Sequence, residues 1–189
     1  MSNQIIAENR DYLERPFSKM TLAELNKIKS RCQRYEEDPK IKAFVEKTNN
    51  TIRNKEMYDN MIKVVNSPYN RNDVDRALAS CNQIKGINAS QQKEVGEVKG
   101  QLLSFNEGLL AFKEFINSIN EKRKGVNNYK WEFFETDRDF IYSENNLGKR
   151  IEAQLKRVPY LKKKFDAFMK AFKAAPSKHS NIENEILSQ

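Results

Sequence analysis

Apolar residues recur along most of this chain at intervals of three and four, the period of an α-helix with one buried face. The pattern is sharpest in the middle. Val95, Val98, Leu102, Phe105, Leu109, Phe112, Ile116 and Ile119 follow one another at spacings of 3, 4, 3, 4, 3, 4 and 3, a heptad seam without a break. The spacing predicts a helix over about 90–124, roughly 50 Å long at ~1.5 Å per residue. Its stripe stays aligned with a neighbour by supercoiling. Two neighbours would satisfy it: residues 39–66 folded back antiparallel, or a second copy of the chain.

Upstream, Ile5, Ile6, Tyr12 and Leu13 mark a short opening helix that stops before Pro16. Thr21-Leu22-Ala23-Glu24 reads as a capping box, in which the hydroxyl and the carboxylate satisfy orphan backbone donors of a helix running to about Asp38. Pro39 suits the first turn of the next helix, where its missing N–H is not needed. That helix carries Ile41, Phe44, Val45, Ile52, Tyr58, Met61, Ile62 and Val65 and ends at Ser67-Pro68. Thr48, Thr51 and Lys55 interrupt its face, so it offers a weaker seam than 95–119. A short helix over 73–85 follows, with Gly86 as its natural C-cap.

Past Gly125, the aromatic run Tyr129, Trp131, Phe133, Phe134, Phe140 and Tyr142 predicts a helix over about 128–143. Leu147, Ile151, Leu155 and Val158 continue a helical period to Pro159, and Leu161, Phe165, Phe168, Met169 and Phe172 carry it to Pro176. Residues 177–189 read as a flexible tail. Within the heptad helix, Gly96, Gly100, Ser104 and Gly108 recur every four residues. Three interior glycines cost about 3 kcal/mol of helix propensity. Close approach of a neighbouring helix is the expected compensation, and a hinge is the alternative.

These elements define an all-α fold: an elongated antiparallel helical bundle or coiled coil of about five or six helices. One domain is expected over 1–176, with a basic C-terminal segment at 146–176. Composition agrees. Six Gly and five Pro in 189 residues are too few for a many-turned β fold. The apolar share of 38% lies below the ~45–50% usual for globular domains, which favours a thin bundle. Met1 to Pro16 is polar and no apolar run approaches membrane-spanning length, which points to the cytoplasm if Met1 is the native start. Cys32 and Cys81 each fall on an apolar helical stripe, where free thiols behave as small hydrophobes.

The charge changes the picture most. The formal net charge is +8, and it resides in one segment. Lys149, Arg150, Lys156, Arg157, Lys162, Lys163, Lys164, Lys170, Lys173 and Lys178 stand against only Glu152 and Asp166. Three readings compete. The lysines form the solvated face of the last bundle helix; or they meet nucleic-acid phosphate without sequence preference; or the segment is a basic amphipathic helix for an anionic membrane surface or acidic protein.

Catalytic chemistry has little to build on. His179 is the only histidine, which excludes common zinc spacings and Ser/His/Asp or Cys/His sets. No Gly-rich phosphate loop is present. Glu132, Glu135, Asp137 and Asp139 are the one acidic cluster, but they lack the Glu-x-x-His motif of bundle metal sites. The sequence therefore points to a non-enzymatic interaction or scaffold protein with no cofactor, metal or small-molecule substrate. A protein partner or homodimer is expected through the 95–119 seam, and nucleic acid or an anionic surface through 149–173.

Overall fold

The computed structural model describes residues 2–67, 70–124 and 147–189, with side chains from Ile151 onward in the last stretch. The expected 128–143 helix, the acidic cluster Glu132, Glu135, Asp137 and Asp139, and the side chains of Lys149 and Arg150 lie outside the described residues. Among those residues the chain is all-α, with eight α-helices, one 3-10 turn and no strand. It divides into two compact units, Met1–Gly100 and Gln101–Gln189, where one domain over 1–176 was expected.

The first unit contains α1 (Ser2–Leu13), a 3-10 turn (Phe17–Lys19), α2 (Leu22–Gln33), α3 (Pro39–Asn66), α4 (Arg71–Gln83) and the start of α5 (Ala89–Arg123). Local chemistry sets the boundaries. Thr21 caps α2 by accepting from the Glu24 N–H at 3.2 Å. That helix stops at Gln33, short of Asp38, because i→i−3 bonds from Tyr35 and Asp38 tighten the chain into turns. Asp38 is thereby freed to cap α3, accepting from Lys40 N–H at 2.8 Å, with Pro39 in the first turn. Asn70 caps α4 in the same way, accepting from Asp73 N–H at 3.0 Å. Helix α4 ends at Gln83 with Ile84 as its C-cap, so Gly86 is not the cap expected of it; it lies in the turn beyond, with φ +68°, the left-handed geometry in which a side chain is strained.

Both α2 and α4 pack on α3. Leu25, Ile28, Cys32, Ile41, Phe44, Met61, Val74 and Cys81 are buried in this unit. The polar interruptions of the α3 face are buried as well, and each is satisfied. Thr48 and Thr51 donate to the carbonyls of Phe44 and Lys47, Asn54 donates to the Lys85 carbonyl, and Lys55 pairs with Asp59 at 2.6 Å. The start of α5 is tied down by polar contacts. Gln91 donates to the carbonyls of Leu13 and Arg15, and the Glu94 carboxylate accepts from Phe17 N–H and Ser18.

The second unit contains the rest of α5 with α6 (Leu147–Leu155), α7 (Pro159–Ala174) and α8 (Asn181–Ser188). Pro159 takes the first position of α7, so the helical period seen across Val158 is carried by two helices joined through a turn. The aromatic core forms between α5 and α7. Phe112 meets Phe165 and Phe168 edge-on, with centroids 5.4 and 5.6 Å apart. Each such pair contributes about 0.5–1.5 kcal/mol beyond its buried area. Residues 177–189 were expected as a flexible tail; Asn181–Ser188 within them form a helix that contacts α7. Ser180 caps α8 by accepting from Glu183 N–H at 3.2 Å, and Ile186 is buried.

Candidate functional surface

Two sets of residues stood out in the sequence, and the structure places them very differently. Val95, Val98, Leu102, Phe105, Leu109, Phe112, Ile116 and Ile119 are all buried within one chain. In the second unit Phe112 of this seam packs against Phe165 and Phe168 of α7. Phe115 contacts the same two rings. A Cβ on Gly108 would lie 3.1 Å from Leu155 Cδ2 and 3.2 Å from Leu161 Cδ1. Close packing thus accounts for Gly108. It does not account for Gly96 and Gly100, where an added Cβ would meet no atom of another element within 4 Å among the described residues.

The basic residues divide into two groups. Lys156, Arg157, Lys163, Lys170 and Lys173 are exposed, whereas Lys162 and Lys164 are half-buried and paired. Lys162 meets Asp166 at 2.5 Å and Glu152 at 4.0 Å, and Lys164 meets Glu185 at 2.8 Å. The Glu185 hydrogen bond pushes the Lys164 pKa up. Lys156, Arg157, Lys163 and Lys170 form no ion pair among the described residues. They flank or lie on the outer side of α7, whose inner side carries the buried Leu161, Phe165, Phe168 and Phe172.

Sequence reasoning missed a third cluster, at the end of α5. Arg123 donates to the Glu183 carboxylate at 3.0 and 3.1 Å, to Asn120 Oδ1 at 2.9 Å, and to the carbonyls of Pro176 and Lys178 at 2.8 and 3.1 Å. It also lies over the Phe172 ring at 5.5 Å. His179 Nδ1 sits 2.7 Å from Glu183 Oε1. The two charged side chains are only 8% and 1% exposed. Burial alone would raise the Glu183 pKa, but hydrogen bonds from His179 and Arg123, and the guanidinium charge, hold it below the usual carboxylate value. The available signal was Ser180-Asn-Ile-Glu183, the same S/T-x-x-E pattern as Thr21 to Glu24.

Both cysteines are free and buried, and burial raises the pKa of each thiol. Among the described residues, no group of His, Cys, Asp and Glu is arranged to hold a metal ion, and no helix is long and apolar enough to cross a membrane. These features define an all-α protein whose apolar seam is consumed internally and whose surplus cations face outward. No family model, curated protein or solved structure matches the chain.

Proposed function

We propose that this chain is a non-enzymatic helical interaction protein, an antiparallel bundle that engages an anionic partner through the outer face of α7 and the turn before it. One observation carries the reading. Lys156, Arg157, Lys163 and Lys170 are exposed without an ion pair among the described residues, while the apolar side of the same helix is already packed. A surplus of one charge on a single face attracts polyanions and raises their rate of encounter. Phe165, Phe168 and Phe172 are engaged with Phe112, Phe115 and one another. Inserting them into a bilayer would require unpacking that core, so the face suits electrostatic docking better than insertion.

Nucleic-acid phosphate is the second reading, since the same lysines would release counterions on binding it. The test is anisotropy of a labelled acidic peptide and of labelled duplex DNA at about 50 and 200 mM salt. Wild-type protein is run beside a Lys163→Glu, Lys170→Glu variant. Binding that weakens with salt and is lost in the variant supports the face as the working surface, and the tighter probe names the partner class. Equal binding by the variant, or none by wild type, rejects the reading.

A further inference from the structure

The outward face of α5 in the second unit carries its own heptad pattern. Leu103, Glu107, Leu110 and Glu114 are all exposed and follow one another at spacings of 4, 3 and 4. At 3.6 residues per turn these positions fall on one stripe. Leu103 and Leu110 are 44% and 59% exposed, and with Tyr35 they are the only large apolar side chains so exposed among the described residues. Neither Glu107 nor Glu114 has an ion pair among those residues.

The outward face of α7 carries a matching stripe. Lys163, Ala167, Lys170 and Ala174 are exposed at the same spacings of 4, 3 and 4. One stripe alternates leucine with glutamate and the other lysine with alanine. Read antiparallel, the two share a single register: Leu103 falls opposite Ala174, Glu107 opposite Lys170, Leu110 opposite Ala167, and Glu114 opposite Lys163. Large side chains meet small ones and each carboxylate meets an ammonium at all four positions. Within one chain the two stripes do not meet, because α5 and α7 turn Phe112, Phe115, Phe165 and Phe168 toward each other.

We propose that the occupant of the α7 cationic face is a second copy of this chain, docking the Leu103–Glu114 stripe of its α5 antiparallel across Lys163–Ala174. The inference rests on the reading of that face given above and names its partner. The contact joins two different surfaces, so each copy offers a free acidic stripe and a free basic one, and association is open-ended rather than closed at a dimer. Two leucines and two charge pairs make a small contact, which places it among weak, salt-sensitive interactions.

Sedimentation velocity from micromolar to near-millimolar protein, at about 50 and 500 mM salt, tests it. We expect the average mass to rise with concentration beyond that of a dimer at low salt, and to fall back at high salt. Glu107→Lys with Glu114→Lys should weaken association at least about tenfold, and so should Lys163→Glu with Lys170→Glu, since like charges then face each other. All four sites are exposed, and circular dichroism checks that each variant folds. The four changes combined in one chain should restore association, because opposite charges face each other again. A wild type that stays monomeric at low salt overturns the inference, as does association that survives both double variants or is not restored by the combination. If wild type binds acidic peptide or DNA but remains a monomer, this inference fails while the cationic-face reading stands. If it does neither, both fail.

Discussion

Replacing Arg123 by Ala should release α8 from the second unit. Arg123 is the hub of the C-terminal cluster, holding the Glu183 carboxylate and two backbone carbonyls from a position only 8% exposed. Removing one partner of a buried ion pair costs about 3–5 kcal/mol, because the remaining charge is stranded. The molecule has a cheaper response. Helix α8 is eight residues long and buries only Glu183 and Ile186, and burying one Ile contributes about 1.5–3 kcal/mol. Local undocking therefore caps the loss, and the effect appears as opening of one segment, not as global unfolding. Hydrogen exchange of the 181–188 amides is the assay. A loss of about 3 kcal/mol corresponds to exchange roughly 100-fold faster there, with α3 amides unchanged. Arg123→Lys should fall between, since an ammonium lacks the planar fork that reaches several acceptors at once. Unchanged exchange at 181–188 in Arg123→Ala would refute the reasoning. The same cluster sets a pH dependence. The Glu183 pKa is held below its usual value of 4.5, so its contribution is fully present above about pH 4.5 and is lost as pH falls through the lowered folded value. Protection of α8 should therefore fade on acidification below that window.

Three further outcomes follow from the packing. Gly96→Ala and Gly100→Ala meet open space and should each stabilise by about 0.5–1 kcal/mol, whereas Gly108→Ala presses on the buried Leu155 and Leu161 and should gain nothing or destabilise; thermal melts of the three variants separate the cases. Phe112→Ala, at a fully buried aromatic junction, should cost about 3–5 kcal/mol in urea unfolding, while Leu110→Ala on the exposed stripe stays within about 0.5 kcal/mol; equal costs would mean the seam is not closed inside one chain. Cys32 and Cys81, buried with raised thiol pKa, should react with a thiol reagent slowly in the native protein and rapidly in denaturant, and fast native labelling of both would contradict their burial.

What was legible in the sequence was local. The heptad seam predicted a helix over about 90–124, and α5 spans Ala89–Arg123, because periodicity and capping act over a few residues. Thr21 and Pro39 sit where their short-range chemistry placed them, whereas Gly86 lies beyond the helix it was expected to cap and serves the turn that follows. What the seam packs against was not legible. A heptad stripe specifies an apolar neighbour without naming it, and for Phe112 that neighbour is the inner side of the basic helix itself. The helix at Asn181–Ser188 was not read from the sequence for a related reason. Glu183 in a short polar segment resembles a solvated acid until Arg123, sixty residues away in sequence, is brought beside it. The lysines were legible as a group, but only the folded chain divides Lys162 and Lys164, which are paired, from Lys163 and Lys170, which have no ion pair among the described residues.

We propose the outer face of α7, rather than the 95–119 seam, as the working surface. Its most direct test is the salt dependence of acidic-peptide and duplex DNA binding by wild type and by Lys163→Ala, Lys170→Ala. On DNA, each phosphate contact contributes about 0.9 to the slope of log affinity against log salt. Both affinities should fall, and the DNA slope should drop by roughly 2, when the two lysines are removed. An unchanged slope, with affinity retained on both probes, would contradict it and return the cations of α7 to the role of a solvated helix face.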